Sequence, residues 1–500
     1  MFSTNLLSKK SVDDIWPVTG KRVLIRVDFN VSMNHDTIIN DYHIRTAVPT
    51  IRRIIDQGGI CILMSHLGRP KGVDSERADA AHKKRQISQY FQEHRGKTSF
   101  FAGLTADDKA TILSWSTRRD RLTDHTTSRT SLFAKLSEEE KKELLFRFLN
   151  ENKDRMFPQL SCSAGYEQEF SLQIAAQRLA ELLGQHVYFT HDCLHAKHEV
   201  QNLRCGEVML LENLRFYTNE TSPDKAKRMR MATVLASYGH VYINDAFGSS
   251  SKEAASVTEI AKLMGHGAAG YLMEREISYF SKLLNSPPRP LVAIIGGAKL
   301  RDKIHVLENL LNRIDKLIIG GGMSFPFLKA TGHSIGNTSC DEELVGIALE
   351  ILKTAAGRKV EVYLPIDHVC NRFKDSPEKP VVTAGPDVPD GFVALDIGPK
   401  SIQLFSSSIA LCKSAVWNGP VGVFEIPAYS KGTFGIAKAM ADSTQRRGLL
   451  SIIGGGDSAS AAELSGEAPR MSHVSTGGMA SLELLEGKTL PGIAALDDKE

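Results

Sequence analysis

Three apolar runs in the second half of the chain stop abruptly on glycines, at Ile294–Gly297, Ile318–Gly322 and Ile452–Asp457. Helix-compatible sequence follows each run, which predicts a buried strand leading through a glycine loop into a helix. The backbone N–H groups and the dipole of such a helix N-terminus attract anions. A glycine after a strand is equally explained by a tight turn alone. Three such loops, one with Lys299 and one with Asp457, favour a site for nucleotide phosphates.

Cationic and oxygen-bearing side chains accompany these loops. Lys303 follows Lys299 by four residues, which predicts two ammonium groups on one helix face near its N-terminus. The string WNGPVGVFE offers the amide of Asn418 and the carboxylate of Glu425 for a nucleoside. Asp457 supplies an oxygen ligand of the kind that Mg²⁺ takes beside phosphates. The sequence contains no Walker A string and no H-R-D or D-F-G set, which excludes the common nucleotide-hydrolase and protein-kinase templates.

Polar residues in the first half follow three strand-like runs. Asp28 and Asn30 end one run, His66 and Arg69 follow a second, and Arg215 follows a third. The carboxyl ends of parallel strands meet at one edge of a sheet, where open α/β folds bind ligands. An arginine after a strand is, taken singly, more often part of a surface ion pair. Two guanidinium groups, an imidazole and an amide together indicate a site for a small, highly anionic molecule.

The elements that must position these residues alternate between strands and helices. Strand patterns at Arg22–Val27 and 59–64 flank a helical pattern from Asp41 to Gln57, which makes one βαβ unit. A long helical pattern from Tyr271 to Leu284 is followed by Pro287 and Pro288, the natural boundary between two domains. We therefore expect an α/β fold of two Rossmann-like, three-layer αβα domains with parallel sheets. The expected divisions are residues 1–270, a hinge helix at 271–286, residues 287–478, and a segment 479–500 that returns to the first domain.

Residues 75–169 differ in texture from their surroundings. Charged and polar residues dominate, apolar runs are short, and lysines and arginines cluster. A capping box formed by Ser137 and Glu140 opens one amphipathic helix. We interpret this stretch as an insertion in the first domain. Its apolar stripe, Leu144 to Leu149, is expected to pack on its own domain rather than on a membrane or partner.

Composition sets the broad class of the protein. Five hundred residues with 24% charged side chains fit a globular protein of two domains, and a net charge of +3 gives no case for nucleic acid as a partner. The seven cysteines include no C-x-x-C pair, so neither a zinc site nor a disulfide framework is indicated. No run approaches a transmembrane span, and the chain shows neither a signal peptide nor a C-terminal peroxisomal tripeptide.

Ten motifs, in this order along the chain, resemble those of phosphoglycerate kinases. They are RVDFNV, SHLGRP, LLENLRF, NDAF, GGAK, GGGM, LDIGP, WNGPVGVFE, IIGGGD and SHVSTGG, and NDYHIR, ASYG and SAAELSG resemble the trypanosomatid branch of that family. The motifs cover the chain outside roughly residues 75–169. The resemblance implies a kinase that transfers a phosphoryl group between 1,3-bisphosphoglycerate and Mg-ADP, in either direction. Phosphoglycerate and nucleotide would bind on separate domains, which the helix from Tyr271 would help to bring together.

The resemblance also implies site residues. Phosphoglycerate would be bound in the first domain by Asp28, Phe29, Asn30, His66, Leu67, Gly68, Arg69, Arg215 and Lys252. Nucleotide would be bound in the second domain by Gly296, Gly297, Ala298, Lys299, Lys303, Asn418, Glu425, Gly455, Gly456, Asp457 and Ser458. Lys299 and His43 are the expected catalytic residues, and Asp457 is the expected Mg²⁺ ligand.

The chain departs from the family pattern on the phosphoglycerate side. His43 stands where the family has an arginine facing the transferred phosphoryl group, and Arg45 lies about 200° around the helix, so it cannot replace that arginine. Lys252 replaces a second arginine and loses its planar, bidentate fork. Ser251 replaces a histidine, and Met479 replaces a glycine. Smaller changes are Ser32, Ala394 and Ser458.

Two hypotheses follow from these departures. The first is a working phosphoglycerate kinase with reduced turnover, acting in glycolysis and gluconeogenesis. The second is a catalytically weak or inactive paralogue that binds nucleotide or a partner protein. We expect a monomer, located in a glycosome or in the cytoplasm.

Overall fold

Two six-stranded parallel sheets form the frame of the molecule. The computed structural model describes residues 9–34, 37–74 and 167–499. The strands are numbered in the order in which they occur along the chain, from β1 (Arg22–Val27) to β17 (His473–Val474). In the first sheet the strand order is β5-β6-β4-β1-β7-β8, and in the second it is β11-β10-β9-β15-β16-β17. Each sheet with its helices is called a lobe below. The expected class of two Rossmann-like α/β domains is confirmed.

The strands are short, as is usual for buried parallel sheets. They are β1 Arg22–Val27, β2 Ser32–Asn34, β3 Thr37–Asn40, β4 Ile60–Met64, β5 Val187–Thr190, β6 Val208–Leu211, β7 Val241–Asp245, β8 Gly267–Ala269, β9 Leu291–Ile295, β10 Lys316–Ile319, β11 Glu361–Tyr363, β12 His368–Asn371, β13 Val381–Val382, β14 Val393–Ile397, β15 Ser414–Asn418, β16 Leu450–Ile453 and β17 His473–Val474. β2 and β3 form a hairpin, and β12–β14 form a small antiparallel sheet.

The helices alternate with the strands of the two parallel sheets. They are α1 Tyr42–Ile55, α2 Gln173–Leu183, α3 Lys197–Gln201, α4 Lys225–Ala236, α5 Ile260–Met264, α6 Tyr271–Asn285, α7 Ile304–Leu310, α8 Phe325–Ala330, α9 Glu343–Gly357, α10 Pro399–Ala410, α11 Lys431–Arg447, α12 Gly456–Leu464, α13 Met479–Leu485 and α14 Pro491–Ala494. The predicted strand 59–64 begins one residue later, and the predicted helix Asp41–Gln57 is trimmed to α1.

Each sheet is covered on both faces, because successive side chains of a strand point to opposite sides. In β1, Ile25 packs in the cluster that contains Ile51 of α1, and Leu24 packs in the cluster that contains Leu235 of α4. In β9, Ile294 and Ala293 divide in the same way between two clusters. Strands buried on both faces explain why the sequence shows continuous apolar runs here.

The chain crosses between the lobes at α6 and near its C-terminus. α13 contacts α7 of the second lobe and the turn Phe247–Ser249 of the first. Further on, the backbone N–H of Asp497 donates to the carbonyl of Gly267 at 2.9 Å, and Lys9 pairs with Asp498 at 2.8 Å. The domain limits at residues 270, 286 and 478 stay predictions.

One local expectation is wrong. Lys299 does not lie on a helix with Lys303, because it precedes a short 3₁₀ turn, Leu300–Lys303, in extended conformation. A 3₁₀ helix has three residues per turn, so positions four apart do not share a face. The predicted helix after Ser137 and most of the proposed insertion lie outside the described residues. Within the described ranges, no helix has the length and apolar character needed to cross a membrane.

Candidate functional site

The carboxyl ends of β1, β4 and β6 hold the polar residues of the first lobe together. The Ser65 hydroxyl, at the end of β4, accepts a hydrogen bond from the backbone N–H of Phe29 at 2.9 Å. The Asn30 amide oxygen accepts from the N–H of Gly68 at 2.8 Å, and Arg215 donates to the carbonyl of Gly68 at 2.8 Å. The three predicted groups of residues therefore do converge at one edge of the sheet.

Two predicted contact residues are core residues. Phe29 and Leu67 are 0% and 4% exposed, so only their backbones are available at the site edge. The Leu67 carbonyl accepts from the Asn213 amide at 2.8 Å, which fixes the loop that presents His66. Because the side chains of Phe29 and Leu67 are buried in the core, they hold the two loops in place at the edge of the sheet.

Arg26 is a buried cation at this edge that the sequence prediction left out of the site. Its guanidinium group is 2% exposed and donates to His66 Nδ1 at 2.9 Å, to Ser256 at 2.9 Å and to Ser249 at 3.2 Å. A guanidinium group can only donate, so His66 Nδ1 accepts and the neutral ring carries its proton on Nε2. Burial, together with the charge of Arg26, lowers the pKa of His66 to about 3. His66 is therefore a neutral hydrogen-bond donor.

Asp28 is a buried carboxylate beside these groups. Burial alone would raise its pKa, but the neighbouring basic groups, His43, His66 and Arg26, lower the pKa below its ordinary value. Of these three neighbours, Arg26 is the one with a permanent positive charge. His43 Nδ1 lies 3.9 Å from Asp28 Oδ2 and, among the described residues, has no hydrogen-bond partner.

Positive charge is in excess at this edge of the sheet. Burial, followed by the charges of Arg26 and Arg69, lowers the pKa of Arg215, with the carboxylates of Glu220 and Asp28 opposing this effect. Arg69 is exposed, and no hydrogen bond of its side chain is found among the described residues. Clustered guanidinium groups that repel one another are stabilised by a multivalent anion.

Two further basic residues near this edge, Lys252 and Arg45, are both exposed. Lys252 is exposed, and its charge is felt by Glu483 of α13. Arg45 is exposed and donates to Asp41 at 2.7 Å on the outer side of α1, so it does not replace an arginine at position 43.

The second lobe holds two adjoining cavities. The larger, about 370 Å³, is lined by glycines that follow β9 and β10, by β14 and by the loop up to Glu425. The smaller, about 220 Å³, is lined by Lys303, Asn418, Met479 and the loop 455–458. Asp457 lines both cavities. A roomy apolar cavity joined to a cationic one has the form required by a nucleoside with its phosphates.

Lys303 and Lys299 have different environments. The Lys303 ammonium donates to the side-chain oxygen of Asn418, and burial lowers the pKa of Lys303 against the opposing charge of Asp457. The Asn418 amide nitrogen donates to the carbonyl of Gly454 at 2.7 Å, and Asn418 lines the smaller cavity. Lys299 is exposed and, within the described part of the chain, has no side-chain partner.

Two glycines are required, Gly296 by a close backbone approach and Gly455 by its left-handed backbone conformation. A Cβ on Gly296 would lie 2.2 Å from the carbonyl oxygen of Pro420. Gly455 has φ +101°, and a Cβ there would lie 2.9 Å from the Asn418 amide nitrogen. The adjacent Ser458 is fully buried and accepts from the N–H of Gly419 at 2.6 Å, which joins the loop after β15 to the start of α12.

Much of the larger cavity wall was not in the sequence prediction. Gly297, Ala298, Glu425 and Asp457 were predicted, and Asp396 was not, although the quoted LDIGP motif contains it. Asp396 accepts from the N–H of Gly432 at 2.7 Å, and burial raises its pKa to about 7. Gly321 and Gly322 belong to one of the predicted glycine loops, and Ala394 was noted as a departure from the family pattern. The other wall residues missed are Ser324, Phe325, Thr338, Ser339, Pro365, His368, Lys374, Leu395, Ile397, Pro420, Val421, Gly422 and Val423.

The oxygen ligands at the junction of the cavities suit Mg²⁺ only in combination with a nucleotide. Among the described residues, no group of three or more His, Cys, Asp or Glu side chains could hold a metal ion. Mg²⁺ is commonly bound by one or two carboxylates together with substrate phosphates. Asp457, exposed at the junction and close to Lys303, fits that arrangement.

The two lobes meet beside Asp28. A Cβ on Gly248 would lie 2.8 Å from Asp28 Oδ2 and 3.3 Å from the carbonyl oxygen of Thr476, so the three residues are close neighbours. Glu276 of α6 is fully buried, accepts from the N–H of Thr476 at 2.8 Å and pairs with His473 at 2.7 Å. The helix between the lobes is thus anchored to the loop that approaches Asp28.

The chain matches the family model described as "Phosphoglycerate kinase" over residues 12–116 and 125–488. The match extends into residues 75–169, so the similarity covers more of the chain than the motifs alone.

Curated relatives match over almost the whole length. "Phosphoglycerate kinase A" of Trypanosoma brucei brucei is 57% identical over 500 residues, covering 99% of this chain and 98% of that protein. A glycosomal phosphoglycerate kinase of Trypanosoma congolense is 58% identical, covering 100% and 99%, and a cytosolic one of Leishmania major is 48% identical, covering 99% and 100%.

Solved structures agree with the fold. Phosphoglycerate kinase from Coxiella burnetii is 30% identical with a TM-score of 0.70, and the alignment covers 97% of this chain and 98% of that one.

Proposed function

Because the chain belongs to the phosphoglycerate kinase family, we propose that it transfers a phosphoryl group reversibly between 1,3-bisphosphoglycerate and Mg-ADP, giving 3-phosphoglycerate and ATP. The observation that carries this proposal is the pairing of an arginine-rich edge on the first lobe with the two joined cavities of the second. A triose bisphosphate is small and multiply charged, which matches the excess of positive charge around Arg26, Arg69 and Arg215.

The first lobe binds phosphoglycerate in this proposal. Arg69 and Arg215 neutralise its phosphate, and His66 donates from Nε2 to a substrate oxygen. Asn30 and Asp28 orient the remaining polar groups, with the backbone of Phe29, Leu67 and Gly68 completing the wall. Lys252 adds a charge from the edge.

The second lobe binds the nucleotide. The nucleoside occupies the larger cavity against Gly297, Ala298 and Glu425, and the phosphates extend past Asp457 into the smaller one, toward Lys303 and Asn418. The other phosphate-side residues are Gly296, Gly455, Gly456 and Ser458. Mg²⁺, when bound, is held by Asp457 and the phosphates and neutralises phosphate charge. The exposed Lys299 is free to follow the transferred group.

The chemistry requires positioning more than proton transfer. The phosphorus–oxygen bond to the carboxyl group of 3-phosphoglycerate breaks as a bond to the β-phosphate oxygen of ADP forms. The attacking oxygen is already anionic and the leaving oxygen departs as a carboxylate, so neither has to lose or gain a proton. The protein therefore needs no general base and acts by alignment and charge neutralisation. This explains a site rich in arginine, lysine and glycine N–H groups.

We further propose that turnover is reduced, because His43 stands where the family has an arginine. A neutral imidazole offers one donor and no charge to the transferred phosphoryl group. Arginines with this role in other phosphoryl-transfer folds contribute on the order of 10³ to 10⁵ in rate. Lys252 and Ser251 reduce ground-state contacts and should mainly weaken phosphoglycerate binding.

The second candidate function is a weak or inactive paralogue that keeps nucleotide or partner binding. The observation that favours it is the asymmetry between the lobes, since Lys303, Asn418 and Asp457 are in place but position 43 lacks a guanidinium group. We propose a monomer in either case. A glycosomal or cytoplasmic location is proposed because relatives of both designations match.

Two measurements on the purified chain separate these functions. Coupled formation of ATP from 1,3-bisphosphoglycerate and Mg-ADP tests transfer, and calorimetry with Mg-ADP tests nucleotide binding. The kinase proposal expects slow but measurable ATP formation together with binding. Binding without any transfer supports the paralogue, and absence of both contradicts the two proposals.

A further inference from the structure

Two hydrogen bonds outside α6 connect the start of α1 to the second lobe. The Asn40 amide nitrogen donates to Glu463 Oε2 at 2.7 Å, and the Tyr42 hydroxyl donates to the carbonyl of Val474 at 3.4 Å. Asn40 and Tyr42 belong to the first lobe, and Glu463 lies in the last turn of α12. The contact therefore joins the two lobes next to the loop that is anchored to α6.

The orientation of the Asn40 amide is determined by its surroundings. Its side-chain oxygen accepts from the backbone N–H of Tyr42 at 2.8 Å. Turning the amide over would place two donors against each other, so the NH₂ group must face Glu463. A hydrogen bond to an ionised carboxylate is stronger than one between neutral groups. Asn40 thus caps α1 and links it to α12 with one side chain.

Tyr42 adds a second point of contact. Its side chain is half-buried, and burial, followed by the charges of Glu276 and Glu463, raises its pKa. Tyr42 is therefore close to carboxylates on both α6 and α12. The ring of the next residue, His43, lies edge-on to it with the centroids 6.3 Å apart.

The two linked helices carry residues that we assign to the phosphoryl group. His43 lies three residues after Asn40, about one turn along the chain. Asp457 lies six residues before Glu463 on α12, about 9 Å along its axis. A shift at this contact moves α1 relative to the nucleotide-binding end of the second lobe.

We propose that Asn40, Tyr42 and Glu463 form an interlobe contact that positions α1, and with it His43, against the nucleotide lobe. They are positioning residues, since none of them reaches the reacting atoms through the contacts described. The inference rests on the proposed kinase function for its effect on rate, and it rests on the hydrogen bonds alone for its effect on the arrangement of the lobes.

The test exchanges donor and acceptor at the pair. Asn40→Asp keeps the size of the side chain and the acceptor for the Tyr42 N–H, but it places a carboxylate against Glu463. Adding Glu463→Gln supplies an amide that donates to the new aspartate. Glu463→Gln alone keeps an acceptor for Asn40. Glu467→Gln, whose partner Arg470 lies in the same lobe, is the matched control.

The readouts are kcat, the Kd for Mg-ADP and the radius of gyration from small-angle X-ray scattering. Asn40→Asp should lower kcat about fivefold, leave the Kd unchanged and increase the radius of gyration. The double variant should recover most of the kcat and most of the original radius of gyration. Glu463→Gln and the control should have a kcat within about twofold of that of the unmodified chain. A purely structural role for Asn40 would not give recovery by a change on the other lobe.

Two results would overturn the proposal. One is an Asn40→Asp variant with unchanged kcat and unchanged scattering, and the other is a double variant no better than the single one. If the unmodified chain transfers no phosphoryl group, the proposed function fails, but scattering of the five proteins still tests the contact. If the unmodified chain does transfer a phosphoryl group and the Asn40→Asp variant behaves in the same way, only the proposed interlobe contact is refuted.

Discussion

At the scale of single residues, the protonation states of the first lobe follow from hydrogen-bond direction. Arg26 can only donate, so it forces one tautomer on His66, and it keeps Asp28 ionised in a buried position. The sequence predicted that His66 and Asp28 would be neighbours, because both end parallel strands. It did not predict the protonation states of His66 and Asp28, because nothing in the sequence distinguishes Arg26 from the other residues of strand β1.

His66 should stay neutral over the range in which ordinary histidines titrate. Its pKa is about 3 in the fold against about 6.5 for an unperturbed histidine. In an NMR titration its ring Cε1–H shift should be flat from pH 8 to 5, the range in which an unperturbed imidazole changes its protonation state. The unfolded chain binds the extra proton below pH ~6.5, so the stability supplied by neutral His66 is lost as pH falls. A midpoint for His66 near 6.5 would refute the assigned tautomer.

Nucleotide affinity should depend on the two charged residues of the smaller cavity. Lys303→Ala removes a half-buried cation and Asp457→Ala the carboxylate at the junction, so each should weaken Mg-ADP binding about tenfold or more in calorimetry. Lys353→Ala, at an exposed ion pair on α9, is the control and should bind as the unmodified chain does. Equal affinities for all four proteins would mean that the nucleotide binds elsewhere.

At the scale of elements, strands and glycine loops were predictable, and the conformation after the loops was not. Continuous apolar runs located β1, β9, β10 and β16 because parallel strands are buried on both faces. Lys299 was misplaced because a 3₁₀ turn and an α-helix share the same local sequence preferences over four residues. The wall of the larger cavity was largely missed, since its glycines and apolar residues come from elements far apart in sequence.

The stretch 75–166 should be removable without loss of the nucleotide lobe. The backbone N–H of Lys71 donates to the Glu167 carboxylate at 3.0 Å, so the flanks of this stretch are already close. Short linkers between near ends cost little free energy of unfolding. A deletion joined by a glycine-serine linker should keep a cooperative thermal transition and the Kd for Mg-ADP. An insoluble or unfolded product would show that the stretch is structural.

At the scale of the whole molecule, the proposed function gives the two lobes separate tasks. The residues proposed for an anionic triose lie on the first lobe and the cavities proposed for a nucleotide lie on the second, so transfer would require α6 and the interlobe contacts to bring them together. Sequence motifs identified both lobes, because each motif follows its own strand. The contact between Asn40 and Glu463 could not be predicted, because it depends on how the two lobes are placed relative to each other.

Slowing of turnover by His43 is tested by comparing the kcat of the unmodified chain with that of His43→Arg in the coupled ATP-forming assay. Turnover of the unmodified chain should be low, and kcat should rise by tenfold or more in His43→Arg, because the guanidinium group supplies a permanent charge and several donors. Lys252→Arg, the control, should mainly lower the KM for phosphoglycerate. Ordinary turnover of the unmodified chain, with no gain from His43→Arg, would contradict the claim.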